Sequence, residues 1–106
     1  MEKLVMKLSI DTSSAEKITV GLDDEEFETE ARKDKSQKLL PFIDKLLKKK
    51  KKTVKDITGI KVNTGPGSFT GLRVGVSIAN TLGWVLGIPV NGKDLRKGEI
   101  VEIKYD

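Results

Sequence analysis

A change of hydrophobic period near residue 32 limits this chain to one class of fold. Before it, apolar or weakly polar side chains recur at every second position: Leu4, Met6, Leu8 and Ile10, then Ile18, Val20 and Leu22, then Phe27, Thr29 and Ala31. A period of two is the mark of a strand with one buried face. Asp11-Thr12-Ser13-Ser14 and Asp23-Asp24 supply turn chemistry between the segments. Three antiparallel strands are therefore expected first. Glu26, Glu28 and Glu30 share the other face of the third, which suits a sheet edge where charge discourages stray pairing.

After residue 32 the spacing becomes helical: Leu39, Leu40, Ile43, Leu46 and Leu47, with Ser36 as the expected cap. Pro41 requires the regular helix to start close to it or to bend there. Ile57, Ile60 and Val62 predict a short strand ending at Asn63, and Thr64 to Ser68 a loop. A second helix is expected from about residue 71 to 86, stopped by Gly87. Ile88-Pro89-Val90 reads as a short strand, residues 91–98 as a polar linker, and Glu99 to Tyr105 as a last short strand. A helix between strands implies parallel pairing for the later ones. The expected fold is a single α/β domain: a mixed sheet with three antiparallel strands followed by helix-strand-helix-strand. Actin-like and ribonuclease-H-like folds share that order, and the order alone selects no function. At 106 residues there is room for one such unit. Residues 1–92 form the expected lobe and 93–106 a C-terminal tail.

The chain has no Cys and no His. Disulfides, thiol nucleophiles and zinc-thiolate sites are thereby excluded, as is the usual general base near pH 7. No metal and no cofactor is expected. The apolar run Leu4 to Ile10, interrupted by Lys7 and Ser9, is too short and mixed for a signal peptide or membrane span. The expected location is the cytoplasm, with no membrane partner. The net charge is +4, and the stretch Arg32 to Lys55 holds 11 of the 20 basic residues. Within it Lys48, Lys49, Lys50, Lys51 and Lys52 are consecutive. They read either as a phosphate-contacting patch for RNA or as a solvated helix end facing the negative pole of the helix dipole. No Arg and no aromatic residue interrupts the run to stack bases, which favours the helix end.

The most specific segment is Gly65-Pro66-Gly67-Ser68-Phe69-Thr70-Gly71-Leu72-Arg73-Val74-Gly75. It is neither a P-loop nor a dinucleotide fingerprint, since Thr70 stands where the third Gly belongs. On spacing it reads as an anion-binding loop at a helix start or as a tight turn with Ser68 or Thr70 as cap. As a string it resembles the signature of the TsaB/YeaZ family, relatives of the tRNA-modifying TsaD/Kae1 proteins. Leu8 to Ser13, Ser36 to Leu47, Ile78 to Gly83 and Leu86 to Val90 resemble further family segments in the same order. The resemblance implies an actin-like lobe, the N-terminal one of two. It implies a non-catalytic scaffold for making threonylcarbamoyladenosine at position 37 of tRNA, which binds and activates a TsaD-like paralogue. A TsaE-like ATPase is an implied further partner, with tRNA contacted indirectly and a homodimer as the alternative without a paralogue. Many relatives have His ahead of the first helix where this chain has Lys35.

The helices carry a separate expectation. At about 100° per residue, the apolar side chains of the second helix span roughly 200°, and those of the first roughly 160°. A helix covering one sheet needs about half the larger arc. Gly75, Ala79 and Gly83 lie four residues apart on one line, which lets another helix approach closely. The expected partner surface is therefore Leu39, Ile43, Leu46 and Leu47 of the first helix with Leu72, Gly75, Val76, Ala79, Asn80, Gly83 and Trp84 of the second, rimmed by Arg73. The opposing reading buries this surface within the chain. Two other functions compete: a basic tRNA-binding module using the lysine run without a TsaD-like partner, and a ribonuclease-H-like nuclease. The nuclease needs carboxylates converging on metal, but Asn63 and Thr64 leave the fourth strand without one.

Overall fold

A computed structural model describes residues 5–104. Leu4 and Tyr105, which the periodicity places in the first and last strands, lie outside the described residues. Strands β1 (Lys7–Asp11), β2 (Lys17–Leu22) and β3 (Glu25–Glu30) form the antiparallel meander expected from the alternation. Helix α1 (Lys35–Lys49) crosses to β4 (Gly59–Val62), which pairs parallel to β1. Helix α2 (Phe69–Leu86) follows, and the sheet order is β3-β2-β1-β4. The observed architecture is an α/β fold with a mixed four-stranded sheet and two helices.

Both helices lie on one face of the sheet. Leu8, Ile10, Ile18, Val20 and Leu22 point into it and meet Leu39, Ile43, Leu47 and Ala79, all almost fully buried. The period-two residues of the strands and the helical stripe of α1 thus make one core. Helix α1 begins well before Pro41, which sits within it on the exposed side. The backbone bond that Pro41 cannot make would go to the carbonyl of Gln37, an exposed residue that water can reach. The N-cap is Asp34, not Ser36, and its side chain accepts from Arg32 N and pairs with Lys38.

Two expected strands are corrected. Ile88 to Val90 contributes a single parallel bridge, Ile60 to Val90, and not a strand. The cause is Asn91, whose carboxamide accepts from Val62 N at 2.9 Å and donates to Val62 O at 3.0 Å. A side chain takes the backbone partner that a continuing strand would supply. Asn91 and Gly92 both have positive φ (49° and 79°), so the chain turns back and Val90 pairs with Lys93. The tail forms a 3-10 turn at Leu95–Lys97, and residues 99–104 belong to no strand.

Candidate functional site

The parallel pair β1–β4 brings Asp11 and Asn63 side by side at its C-terminal end. One carboxylate oxygen of Asp11 accepts from Ser13 N at 2.9 Å, Ser13 Oγ at 2.6 Å and Asn63 Nδ2 at 3.1 Å. Asn63 Oδ1 in turn accepts from Gly65 N at 2.9 Å. Partial burial pushes the Asp11 carboxyl up, but the bonds from Ser13 and Asn63 and the charge of Lys17 together outweigh it and hold its pKa below the ordinary value. Asp11 stands at one end of an open cleft of about 700 Å³ on the helix-free face of the sheet. Ser9, Thr19 and Gly21 make its floor, with Glu26 and Glu28 on one flank and Lys61 and Asn91 on the other.

The glycine segment packs against the turn after β1. Ser68 N donates to Ser13 O at 2.8 Å, and Ser68 Oγ accepts from Gly71 N at 3.3 Å, capping α2. A Cβ on Gly67 would stand 2.5 Å from that of Ser13. With Gly65 N taken by Asn63, three amides of this loop are already used within the chain. The geometry is that of the tight turn and cap. Pro66 lies in the turn, and Thr70 and Phe69 face outward, with the Arg73 guanidinium 5.7 Å from the Phe69 ring centre.

The helix residues expected at a partner surface divide, and most correct the expectation. Leu39, Ile43, Leu46, Leu47, Leu72, Val76 and Ala79 are buried within the chain. The small-residue line faces the chain's own sheet and tail. A Cβ on Gly75 would come 2.5 Å from Thr12 Oγ1, and one on Gly83 would collide with Val90 and crowd Leu95. The close approach belongs to an internal seam. Asn80 is engaged too: its carboxamide donates to Val101 O at 2.9 Å and accepts from Val101 N at 3.1 Å. Trp84 alone of the eleven stays largely exposed, at 60%.

The apolar surface that does face outward lies elsewhere on the same helices. Leu40 on α1 and Val85 on α2 are 45% and 57% exposed, and Val74 and Ile78 are half-buried. Val74 and Ile78 line a shallow groove with Ser36, Arg73 and Ser77, between α1 and α2. Val74, Ile78 and Val85 share one face of α2 at intervals of four and seven. That spacing is legible in the sequence, about 120° round the helix from the glycines.

The lysine run straddles the C-terminus of α1. Lys48 pairs with Asp44 at 2.9 Å, and Lys50 pairs with Glu25. The backbone amides of Lys50 and Lys52 bond back to Leu47 O and that of Lys51 to Lys48 O, closing the helix end. Lys51 adopts a left-handed φ of 59°, and Lys49 is exposed on the last turn. Lys35 is buried, with its ammonium donating to Ala31 O at 2.9 Å, and ties α1 to the end of β3.

Comparison with known proteins adds to this geometry. Residues 28–92 match the family model for TsaD, tRNA N6-adenosine threonylcarbamoyltransferase. The chain is 39% identical over 66 residues to the tRNA threonylcarbamoyladenosine biosynthesis protein TsaB of Bacillus subtilis (strain 168), covering 62% of this chain and 29% of that protein. It is 35% identical over 60 residues to a tRNA N6-adenosine threonylcarbamoyltransferase of Persephonella marina, covering 57% of this chain and 17% of that one. The chain thus spans less than a third of the length of these relatives. Among solved structures, YeaZ from Pseudomonas aeruginosa superimposes with a TM-score of 0.69 at 24% identity, over 82% of this chain and 42% of that one. That likeness concerns the fold.

Proposed function

The chain belongs to the TsaB/YeaZ family, within the superfamily of the TsaD-type tRNA N6-adenosine threonylcarbamoyltransferases, and on that premise we propose that it is a non-catalytic docking lobe in the formation of threonylcarbamoyladenosine at position 37 of tRNA. Its order of strands and helices corresponds to one actin-like lobe. Its partner is a TsaD-like paralogue, with a TsaE-like ATPase joining a larger complex in the cytoplasm.

One observation carries the reading. Val74 and Ile78 line the α1–α2 groove beside Arg73, and the same two helices expose Leu40, Val85 and Trp84. Apolar side chains in a groove between two helices fit a second pair of helices packing across them. An aromatic and an arginine near such a patch match the composition of protein interfaces. The chain has neither His nor Cys, and the Asp11 carboxylate oxygen in the cleft is already taken up by Ser13 and Asn63.

The test is solution mass by light scattering, for the chain alone and mixed with a TsaD relative. A one-to-one complex that is lost in Val85→Asp supports the reading. Two components that never co-elute at micromolar concentration would overturn it.

A further inference from the structure

The last segment of the chain touches two places that the rest of the fold keeps apart. Residues 99–104 lead from the 3-10 turn past Asn80 of α2 to the loop before its first turn. At one point Asn80 holds both backbone groups of Val101. At another, Lys104 N donates to Thr64 O at 2.9 Å, and a Cβ on Gly65 would meet Lys104 O at 3.2 Å. Thr64 lines the cleft at Asp11. Asn80 lies on α2 one turn before the exposed Trp84.

The segment is anchored at its root and held further on by the two contacts just described. Before it, the tail is firmly fixed. Arg96 donates from Nε to Trp84 O at 2.9 Å and from Nη2 to Val85 O at 2.8 Å, closing the end of α2, and Leu95 is buried. Gly98 closes the 3-10 turn at φ 90°, and Glu99 is still tied to that turn, its N donating to Asp94 O at 3.3 Å and its carboxylate accepting from Asp94 N, so Glu99 is the anchored root of the segment. Beyond this root Val101 is buried and Ile103 half-buried, whereas Ile100 and Glu102 face outward. The match to the family model stops at residue 92, so this segment lies beyond the matched region.

We infer that residues 99–104 are a latch that couples the outer flank of α2 to the rim of the Asp11 cleft. Closed, it fixes the Thr64–Gly65 backbone against α2. Open, it releases Thr64 O and loosens that loop, which keeps only its bonds to Asn63 and Ser13, while β1 and β4 hold each other by their own ladder. A partner resting on Trp84 and Arg73 borders Asn80 and shifts the latch toward the closed state. This is a two-state element that both surfaces can bias. The partner arm rests on the docking reading given above; the latch itself does not.

Amide hydrogen exchange tests it on the whole chain. Asn80→Ala should speed exchange at Val101 and Lys104 and at Gly65 and Ser68 together, by about tenfold or more, with β1 and β4 changed less than about twofold. Faster exchange confined to residues 99–104 would overturn the coupling. If Asn80→Ala loosens the whole fold, Asn80→Asp decides, since it keeps the acceptor for Val101 N and loses the donor. Both segments should then shift together by an intermediate amount, and a shift in one alone refutes the latch. Adding a TsaD relative should slow exchange in both segments. A complex seen by mass with protection only in α1 and α2 refutes the coupling and leaves docking intact. No complex refutes docking, and the Asn80 variants still decide the latch.

Discussion

Thr12 stands inside the first turns of α2, where its hydroxyl accepts from Gly75 N at 3.2 Å and donates to Gly71 O at 2.6 Å. An α-helix ordinarily joins those two backbone groups to each other. Here a side chain from the turn after β1, fully buried, is bonded to both. The glycines at 71 and 75 are therefore spacing residues: a side chain at either would occupy the place of Thr12. This relationship fixes how far α2 lies from the sheet and gives the repeated glycines of the signature segment a physical cause.

Gly75→Ala measures that spacing. On helix propensity alone Ala should stabilise by about 0.5–1 kcal/mol. The added carbon would stand 2.5 Å from Thr12 Oγ1 and 3.3 Å from Ile10 Cγ2. Overpacking should win, with a net loss of about 1–3 kcal/mol in urea unfolding. Thr12→Val keeps the shape and removes both buried bonds to the α2 backbone, for a loss of about 1–3 kcal/mol, whereas Thr12→Ser should cost less. A Gly75→Ala protein more stable than the parent would show that α2 can move away freely.

The pH dependence of stability should carry the mark of Asp11. Its carboxyl is held below the ordinary value of 3.8 in the folded chain. In acid the unfolded chain therefore binds the proton first, and stability falls as the pH drops. The contribution is complete above the unfolded value and is lost as the pH falls below about 4 and through the folded value. Asp11→Asn should flatten that acid limb in thermal melts taken between about pH 5 and 2. An unchanged slope would mean the Ser13 and Asn63 bonds do not favour the charged form.

The lysine run offers a prediction of small effect. Replacing Lys49, Lys50 and Lys51 with Ser removes the exposed pair of Lys50 with Glu25, and such a pair contributes about 0–1 kcal/mol. Melting should barely move, and binding to a TsaD relative should stay the same. If the run binds RNA, the salt slope of tRNA binding should fall by about 0.7–0.9 for each phosphate that a lysine no longer neutralises. A fall of that size would favour the tRNA-binding reading.

What the sequence disclosed depended on how local its cause was. The three-strand meander came directly from period-two alternation at Leu8 to Ile10, Ile18 to Leu22 and Phe27 to Thr29. The C-terminal end of α2 was legible because Gly87 acts on its own neighbours, left-handed at φ 68°; its start, expected near residue 71, lies at Phe69, because Ser68 and not Thr70 caps it by accepting from Gly71 N. What stayed hidden depends on residues distant in sequence. Val90 does not lead a strand because the Asn91 side chain takes the edge of Val62, 29 residues away. The segment after Gly98 alternates like a strand, but Asn80 of α2 holds its backbone. The Gly75–Ala79–Gly83 line does mark a close approach, but its partner is Thr12 and Val90 of the same chain. A row of small residues gives the distance between two elements, not which two.

That last correction sets the sharpest test of the docking surface. Ala79 is fully buried against the core. Ala79→Leu should cost about 1–3 kcal/mol of stability through overpacking, several degrees in melting temperature for a domain of this size. Once folded, the variant should still bind its partner. Val85 and Leu40 behave oppositely. Both are about half exposed, so Val85→Asp or Leu40→Asp should shift stability by no more than about 0.5 kcal/mol. Placed in an apolar interface, the same carboxylate is buried without a partner, which costs several kcal/mol and should weaken the complex a hundredfold or more. Thermal melts and a titration with a TsaD relative separate the two classes. If Ala79→Leu abolishes binding at unchanged stability while Val85→Asp binds normally, the docking surface lies on the seam side of α2 and the α1–α2 groove is not the interface.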